Sequence, residues 1–461
     1  MTTSQSSASP GDQMAEGLQS GGTRKQAPGK NALAFIFITV MLNMIGFGVI
    51  IPVMPQLLQE ITGQGVAEAA RWGGILSATY ALMQFIFSPI MGGLSDQFGR
   101  RPVILFSLLI YSLDFLLLAL APTVAILLLA RMIAGAFAAT FTTANAYIAD
   151  ISPPEKRAAN FGLVGAAFGL GFIIGPAIGG YLGEQYGARA PFFFVAGLGM
   201  VNFIYGAIFL PETLAPENRR RFDIRRANAF GNFKQFAQYP IILPIALAML
   251  IFQIGHWTFP SVWAYYAEAK FSWSPGEIAA SLVMVGLAAA IVQGGLSRVI
   301  VPRFGERATA IAAIALAVII YPLYGFINDG RLVYAVIPIG ALVGLGMPAL
   351  QGIMSRTIPA NAQGELSGAV ASISGLAMIV GPFLTTQIFS AFTDPGSPVS
   401  IGSWVVLERG APFFFPGAPF VFSGILSAIA LIPLISALNL VKRGRGEAVP
   451  DLDGAEVGSG K

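Results

Sequence analysis

Twelve predominantly apolar runs recur along the chain, at 32–54, 73–95, 103–121, 123–147, 160–182, 191–210, 241–265, 278–297, 308–327, 332–354, 366–389 and 412–440. Each is about 20 residues or more, long enough to cross a hydrocarbon core of ~30 Å as a helix. Composition agrees with lipid as the default solvent: 55% of residues are hydrophobic and 11% charged, against about 25% charged in a soluble domain. The expected fold class is an all-α integral membrane protein with 12 transmembrane helices. The opening stretch, Met1 to Lys30, is rich in Ser, Gly and Gln without an apolar core. It reads as a disordered tail and not as a signal peptide, so the first span is expected to direct insertion.

The distribution of cations orients the spans. With both termini cytoplasmic, 21 of the 27 Lys and Arg residues fall inside and five outside (Arg71, Arg189, Lys270, Arg331, Arg409), while Arg131 lies within a span. Positive loops stay on the cytoplasmic side, and their basic charge faces anionic lipid. The Arg cluster at 219–226 sits between spans without a domain around it, so no nucleic-acid partner is expected. The expected organisation is a disordered cytoplasmic tail (1–31), a six-helix bundle (32–210), a basic cytoplasmic linker (211–240), a second six-helix bundle (241–440) and a cytoplasmic C-terminal tail (441–461).

The halves echo each other. Phe98-Gly99 recurs as Phe304-Gly305, Ile151 to Pro153 as Ile358-Pro359, and Gly175-Pro176 as Gly381-Pro382, all 206 residues apart. Gly92-Gly93-Leu94-Ser95 recurs as Gly294-Gly295-Leu296-Ser297 at 202, which implies a four-residue insertion in between. Several echoes at one offset mark a duplication, giving two six-helix repeats in parallel orientation.

Between spans 2 and 3 runs Gly92-Gly93-Leu94-Ser95-Asp96-Gln97-Phe98-Gly99-Arg100-Arg101-Pro102. Its glycines allow a sharp turn and close helix approach, and its charges can pair locally or cap a helix end. The segment resembles the cytoplasmic signature of the major facilitator superfamily. That resemblance implies a gating network of Gly92, Asp96, Gly99, Arg100 and Arg101 that holds the inward side shut, with Asp150 at the end of span 4 as a partner. A tight turn with solvated charges is the plainer alternative. In span 5, Gly171, Gly175, Gly179 and Gly183 are spaced four apart and line one helix face, while Pro176 removes a ladder hydrogen bond. The stretch from Phe168 to Gly180 resembles the motif of drug/proton antiporters in that superfamily, and is also a packing ridge. Further similarity to tetracycline efflux proteins runs through Ile45–Pro55, Tyr80–Gln84, Arg100–Val103, Ser112–Asp114 and Met347–Gly352. Residues 390–411 form a longer Pro/Gly-rich outer loop than that family usually has.

Only two fully charged residues fall within the assigned spans, Asp114 in span 3 and Arg131 in span 4. Ionisable groups in hydrocarbon are functional candidates by default. At 1.5 Å per residue both lie about 10–12 Å below the outer surface, close enough in depth to pair. Arg131-Met132-Ile133-Ala134-Gly135 resembles the span 4 motif whose arginine is tied to proton transfer in the family, so Asp114 becomes the expected proton carrier. The competing reading is a permanent structural salt bridge. His256, the sole histidine, has an ordinary pKa of ~6.5 that suits proton carriage, and equally suits a hydrogen bond to a neighbouring helix. Tetracycline exporters carry an acid in span 1 where this chain has Asn43, and another in span 9 where it has apolar and tyrosine positions around Tyr321. Neither carboxylate carries over.

Polar and aromatic residues near the midplane of spans 1, 4, 7 and 10 are the substrate candidates: Asn43, Asn145, Gln253, His256, Trp257 and Gln351. A cavity so lined suits a large amphipathic or zwitterionic solute, although Asn and Gln also serve as interhelical glue. The absence of cysteine and the single histidine exclude a disulfide framework, a thiolate metal site and clustered metal constellations, and no cofactor is expected. No P-loop, no Ser/His or Asp/Asp intramembrane protease pair and no intramembrane lysine occur. The expectation is therefore a monomeric, non-enzymatic secondary transporter of a bacterial inner membrane, exporting a drug-like solute against protons. Symport of a metabolite and a non-transporting receptor on the same fold are the alternatives.

Overall fold

The computed structural model describes residues 30–138, 140–223, 242–359, 363–396, 398–401 and 404–443. The expected N-terminal tail, most of the basic linker and the C-terminal tail lie outside them. The first half holds α1 (Lys30–Thr62), α2 (Val66–Phe98), α3 (Arg100–Leu120), α4 (Val124–Ala136), α5 (Thr140–Ile151), α6 (Pro154–Tyr186) and α7 (Ala190–Phe209). The second holds α8 (Ile242–His256), α9 (Thr258–Phe271), α10 (Pro275–Ile291), a π turn (Val292–Leu296) and α11 (Ser297–Phe326). It continues with α12 (Gly330–Ala341), a 3-10 turn (Leu342–Leu345), α13 (Gly346–Thr357), α14 (Gln363–Thr393) and α15 (Ala418–Arg443). Among the described residues, ten helical runs are long and apolar enough to cross a membrane.

Two departures from the sequence reading have local causes. The fourth span is two helices, α4 and α5, parted around 137–139. Thr140, Thr142 and Thr143 follow the break, and β-branched threonine is a weak helix former. Several helices also overrun the apolar runs, α2 from Val66 and α6 from Pro154, because a helix ends at a stop signal and not where hydropathy falls. Gly99 is such a signal: its φ of 106° is open to glycine and strained for other residues. Gly305, its echo, has φ 77° and breaks the 52-residue run Pro275–Phe326, which as one straight helix would reach about 78 Å. The loop expected at 390–411 begins with the last turn of α14 and contains a small antiparallel hairpin, β1 (Val399–Ile401) with β2 (Trp404–Leu407), so the fold is not purely helical.

Glycine sets the closest helix approach. Along α6, a Cβ on Gly171 would meet Met44 Cβ at 2.6 Å, one on Gly175 would meet Ile45 O at 2.6 Å and Gly48 Cα at 2.9 Å, and one on Gly179 would meet Val49 O at 2.7 Å. The ridge thus lies in backbone contact with α1, and Pro176 packs on Gly48 of α1 in the same seam.

The buried apolar residues divide unevenly. One core belongs wholly to the first half, among them Phe35, Ile104, Tyr147 and Ile148. A second belongs wholly to the other half, with Met249, Phe252, Ile314 and Leu350. The largest is shared, joining Val49, Leu57, Phe115 and Phe192 to Trp263, Tyr266, Phe389 and Phe420. The halves therefore meet at the end opposite Lys30 and Arg443, and at the end bearing those two residues (the tail end) each keeps its own core. Glycines on the tail-end half of α6 (Gly162, Gly165, Gly169) and in the π turn (Gly294, Gly295) have open space where a Cβ would stand.

The contrast between filled and open glycine positions is testable. Gly175→Val should lower stability by about 1–3 kcal/mol through overpacking, read as an earlier thermal unfolding midpoint of the detergent-purified protein, while Gly162→Ala should leave the midpoint in place.

Candidate functional site

Asp114 of α3 and Arg131 of α4 are both buried and bound to each other, Arg131 Nη2 donating to Asp114 Oδ2. The Arg131 guanidinium also lies 5.5 Å from the centroid of the Tyr80 ring on α2, a cation–π contact. Pairing is incomplete: Asp114 Oδ1 and Arg131 Nε are buried with no hydrogen-bond partner among the described residues. One buried carboxylate oxygen of Asp114 is thus left as an open acceptor.

The midplane candidates do not converge on one wall. Asn43 donates to Thr39 O of its own helix at 2.8 Å. Buried Gln253 donates to Ser374 Oγ at 3.2 Å, tying α8 to α14. Trp257, at the break between α8 and α9, packs under Gly381 of α14. Asn145 on α5 is half-buried. His256 and Gln351 do come together, lining a cavity of about 220 Å³ with Phe252, Gln293, Gly344 and Met347. Behind that wall, His256 Nδ1 and Tyr321 OH are 2.8 Å apart. The tyrosine stands in the stretch where the efflux relatives were expected to carry an acid, and its partner here is the histidine. Two features went unread in the sequence, Gln293 and the tyrosine contact, since neither belongs to a motif.

At the tail end, Arg100 joins Asp96 (2.5 Å) and Asp150 (3.2 Å) and also donates to Ser95 Oγ. Arg101 reaches Ala207 O at 2.7 Å. Gly92 stands in open space, and Gly99 faces Glu212. Glu212 was missed: its carboxylate accepts the backbone N–H groups of Arg100, Arg101, Thr213 and Leu214 at 2.9–3.1 Å, filling the N-terminus of α3, where negative charge is favoured. The chain after α7 then lies on the signature loop, with Arg220 N donating to Asp96 O and Phe222 N to Gln97 Oε1. The sole sequence hint was an acid immediately after an apolar run that ends beside a basic loop.

The second half carries the counterpart with inverted polarity. At the 206-residue offset, Arg100 corresponds to Glu306 and Asp150 to Arg356, and Glu306 and Arg356 are paired at 3.2 Å, as are Arg100 and Asp150. The duplication kept the bridge and exchanged its ends. At the opposite end of the molecule, polar bonds cross between the halves: Gln59 of α1 donates to Glu268 of α9 at 2.7 Å, and Arg71 of α2 donates to Ser390 of α14 at 3.1 Å while pairing with Glu68. Arg71, counted in the sequence as a loop cation, is 7% exposed.

Long apolar helices, a shared core at one end, separate cores at the other and a buried ion pair define a multi-pass membrane transporter. The chain belongs to the major facilitator superfamily, whose family model matches residues 36–382. The tetracycline resistance protein, class C, of Escherichia coli is 36% identical over 376 residues, covering 82% of this chain and 93% of that protein. Multidrug resistance protein 2 of Bacillus subtilis (strain 168) is 30% identical over 366 residues, covering 77% and 88%. Among solved structures, a bacterial homologue of the human lysosomal transporter Spinster, in an inward-facing and unoccupied conformation, has a TM-score of 0.67 at 17% identity, covering 93% of this chain and 100% of that one. As a member of this family the chain moves a small molecule across a membrane and is not an enzyme.

The inverted bridge gives a prediction. Arg356→Glu, which sets two acids against each other, should depress transport in proteoliposomes, and adding Glu306→Arg should restore most of it. Equal loss in the double variant would mean that the sign of each residue, and not their pairing, matters.

Proposed function

We propose that the protein is a proton-coupled antiporter that exports a drug-like or amphipathic small molecule by alternating access. Its twelve spans form two six-helix bundles, 32–210 and 241–440. Ten apolar helical runs support that count once the run broken at Gly305 is counted twice and α4 with α5 are taken as one further crossing. The tail end is cytoplasmic by the placement of 21 of 27 cations, so the geometry described is inward-facing, with the outer seam closed by Gln59–Glu268 and Arg71–Ser390. Relatives named as tetracycline and multidrug resistance proteins support export as the direction, and the Escherichia coli relatives support a bacterial inner membrane as the location. Tetracycline belongs in the test panel, and the protein acts as a monomer.

The observation that carries the coupling is the buried Asp114–Arg131 pair with its unpartnered Asp114 oxygen. In the cycle, a proton arriving from outside occupies Asp114 and loosens Arg131, and the halves reclose outside. Opening inward lets the proton leave and the pair re-form as substrate binds. Gly92, Asp96, Gly99, Arg100, Arg101 and Asp150 hold the first half's cytoplasmic lip in shape for closure against the second half, and the Gly171–Gly175–Pro176–Gly179 ridge keeps α6 and α1 moving as one body.

Asp114→Asn should abolish flux driven by a proton gradient while sparing gradient-free substrate exchange and the elution profile of the purified protein. A purely structural bridge would lose exchange and stability together, and undiminished gradient-driven flux would remove Asp114 from the mechanism. Asp96→Asn should slow both gradient-driven flux and exchange, because it disturbs the lip and not the proton. In a wild-type liposome assay with a pH dye, proton movement with the solute and not against it would assign symport.

A further inference from the structure

Two irregular helical turns face each other across the 220 Å³ cavity. The π turn Val292–Leu296 interrupts the run from α10 to α11, and the 3-10 turn Leu342–Leu345 interrupts the run from α12 to α13. They pack together through Val292 and Leu345. Each forgoes the regular helical ladder, and such turns concentrate at functional positions. The π turn projects Gln293 into the cavity beside Gly344 of the 3-10 turn, where a Cβ would stand 3.6 Å from Gln293 Nε2, an ordinary contact distance.

The polar groups on this wall are uncharged amides together with one imidazole. Gln293 and Gln351 are exposed to the cavity, and neither side chain has a hydrogen-bond partner among the described residues. Each offers a carbonyl acceptor and an NH₂ donor. With Nδ1 at Tyr321, His256 keeps Nε2 for a ligand. Its ring stacks on the buried Phe252 ring at 6.0 Å and 23°, which holds it in place, and Met347 adds an adaptable apolar surface beside the exposed Pro348. No carboxylate lines the cavity among the described residues, and the acid within the assigned spans, Asp114, is clamped by Arg131 in the other half. A permanent cation placed here would lose its hydration without gaining a counter-charge.

We propose that this wall is the specificity site for a flat solute whose binding edge is uncharged and carries adjacent hydrogen-bond donors and acceptors, such as neighbouring carbonyl and hydroxyl groups, and that it discriminates against permanent cations. Gln293 and Gln351 read the edge, His256 Nε2 completes it, and Met347 and Pro348 take the flat body. At 220 Å³ the cavity is below the ~300–1,000 Å³ of sites that enclose a drug-sized ligand, so it holds one end of the solute and leaves the rest between the halves. The inference rests on the transport reading for its setting and is tested without a gradient.

The experiment is equilibrium binding to the purified full-length protein in detergent, read by tryptophan quenching. Tetracycline and quercetin serve as probes with a donor–acceptor edge, and tetraphenylphosphonium as the permanent cation. At least one edge probe should bind, and tetraphenylphosphonium should fail to displace it. Gln293→Leu and Gln351→Leu should each weaken binding about three- to tenfold, the loss of one neutral hydrogen bond, with unchanged elution and thermal unfolding. Gln351→Glu should admit tetraphenylphosphonium by supplying the missing charge. Failure of both edge probes to bind, equal binding of the cation by the wild type, or indifference to both Leu variants would overturn the proposal. Binding of this pattern without proton counterflow would leave it standing and count against antiport alone.

Discussion

Lipid tails are as apolar as leucine, so helices in a bilayer gain little by burying apolar side chains against each other, and association falls to close packing and a few polar bonds. The organisation of this chain follows from that constraint. The α6 ridge brings its backbone onto α1 through Gly171, Gly175 and Gly179. At the outer seam, Gly73 accepts the Tyr265 ring, Gly74 lies under Thr386, and Gly180 meets Ala279. Small residues thus mark both the contacts that stay and those that must open.

A seam held by van der Waals contact and, among the described residues, by polar bonds such as Gln59–Glu268 and Arg71–Ser390 suits a structure that alternates. Gln59–Glu268 and Arg71–Ser390 are hydrogen bonds between the halves, each with one ionisable partner, and such bonds contribute about 1.5–3 kcal/mol each net. The ion pairs at the tail end stay within a half: Arg100 with Asp96 and Asp150 on one side, Glu306 with Arg356 on the other. The proposed rocking of the halves therefore breaks none of these tail-end ion pairs. The opposite polarity of the two bridges also places an acid and a base at pseudo-equivalent positions, Asp150 and Arg356, at the tail end of the two halves.

Much of the membrane architecture was legible because hydropathy runs are a one-dimensional signal. Gly99 and Gly305 could be paired from the 206-residue echo, and their shared positive φ is what that echo encodes. Asp114 and Arg131 were found because charges within apolar runs are rare, and their depth count brought them together. What stayed hidden depends on rotation about helix axes. Gln253 and Gln351 read alike in sequence, yet one is spent on Ser374 and the other faces the cavity. Gln293 was invisible because a π turn changes which face a residue occupies, and no composition signal announces that turn. Glu212 lay outside any motif, and its role appears only once the start of α3 is seen to need an acceptor.

The central claim is that one buried pair governs which end of the molecule is open. The chain contains no cysteine, so spin labels can be placed at will: one pair at Gly162 and Gly294, both open tail-end positions, and one at the opposite end, Gln64 and Ser272. Pulsed electron paramagnetic resonance distances in liposomes across a pH series are the direct measurement. The account expects the tail-end distance to shorten as the opposite-end distance lengthens, with a pH-dependent ratio of the two states that Asp114→Asn makes pH-independent. Distances that stay fixed with pH, or that shift identically in the Asp114→Asn protein, would contradict it.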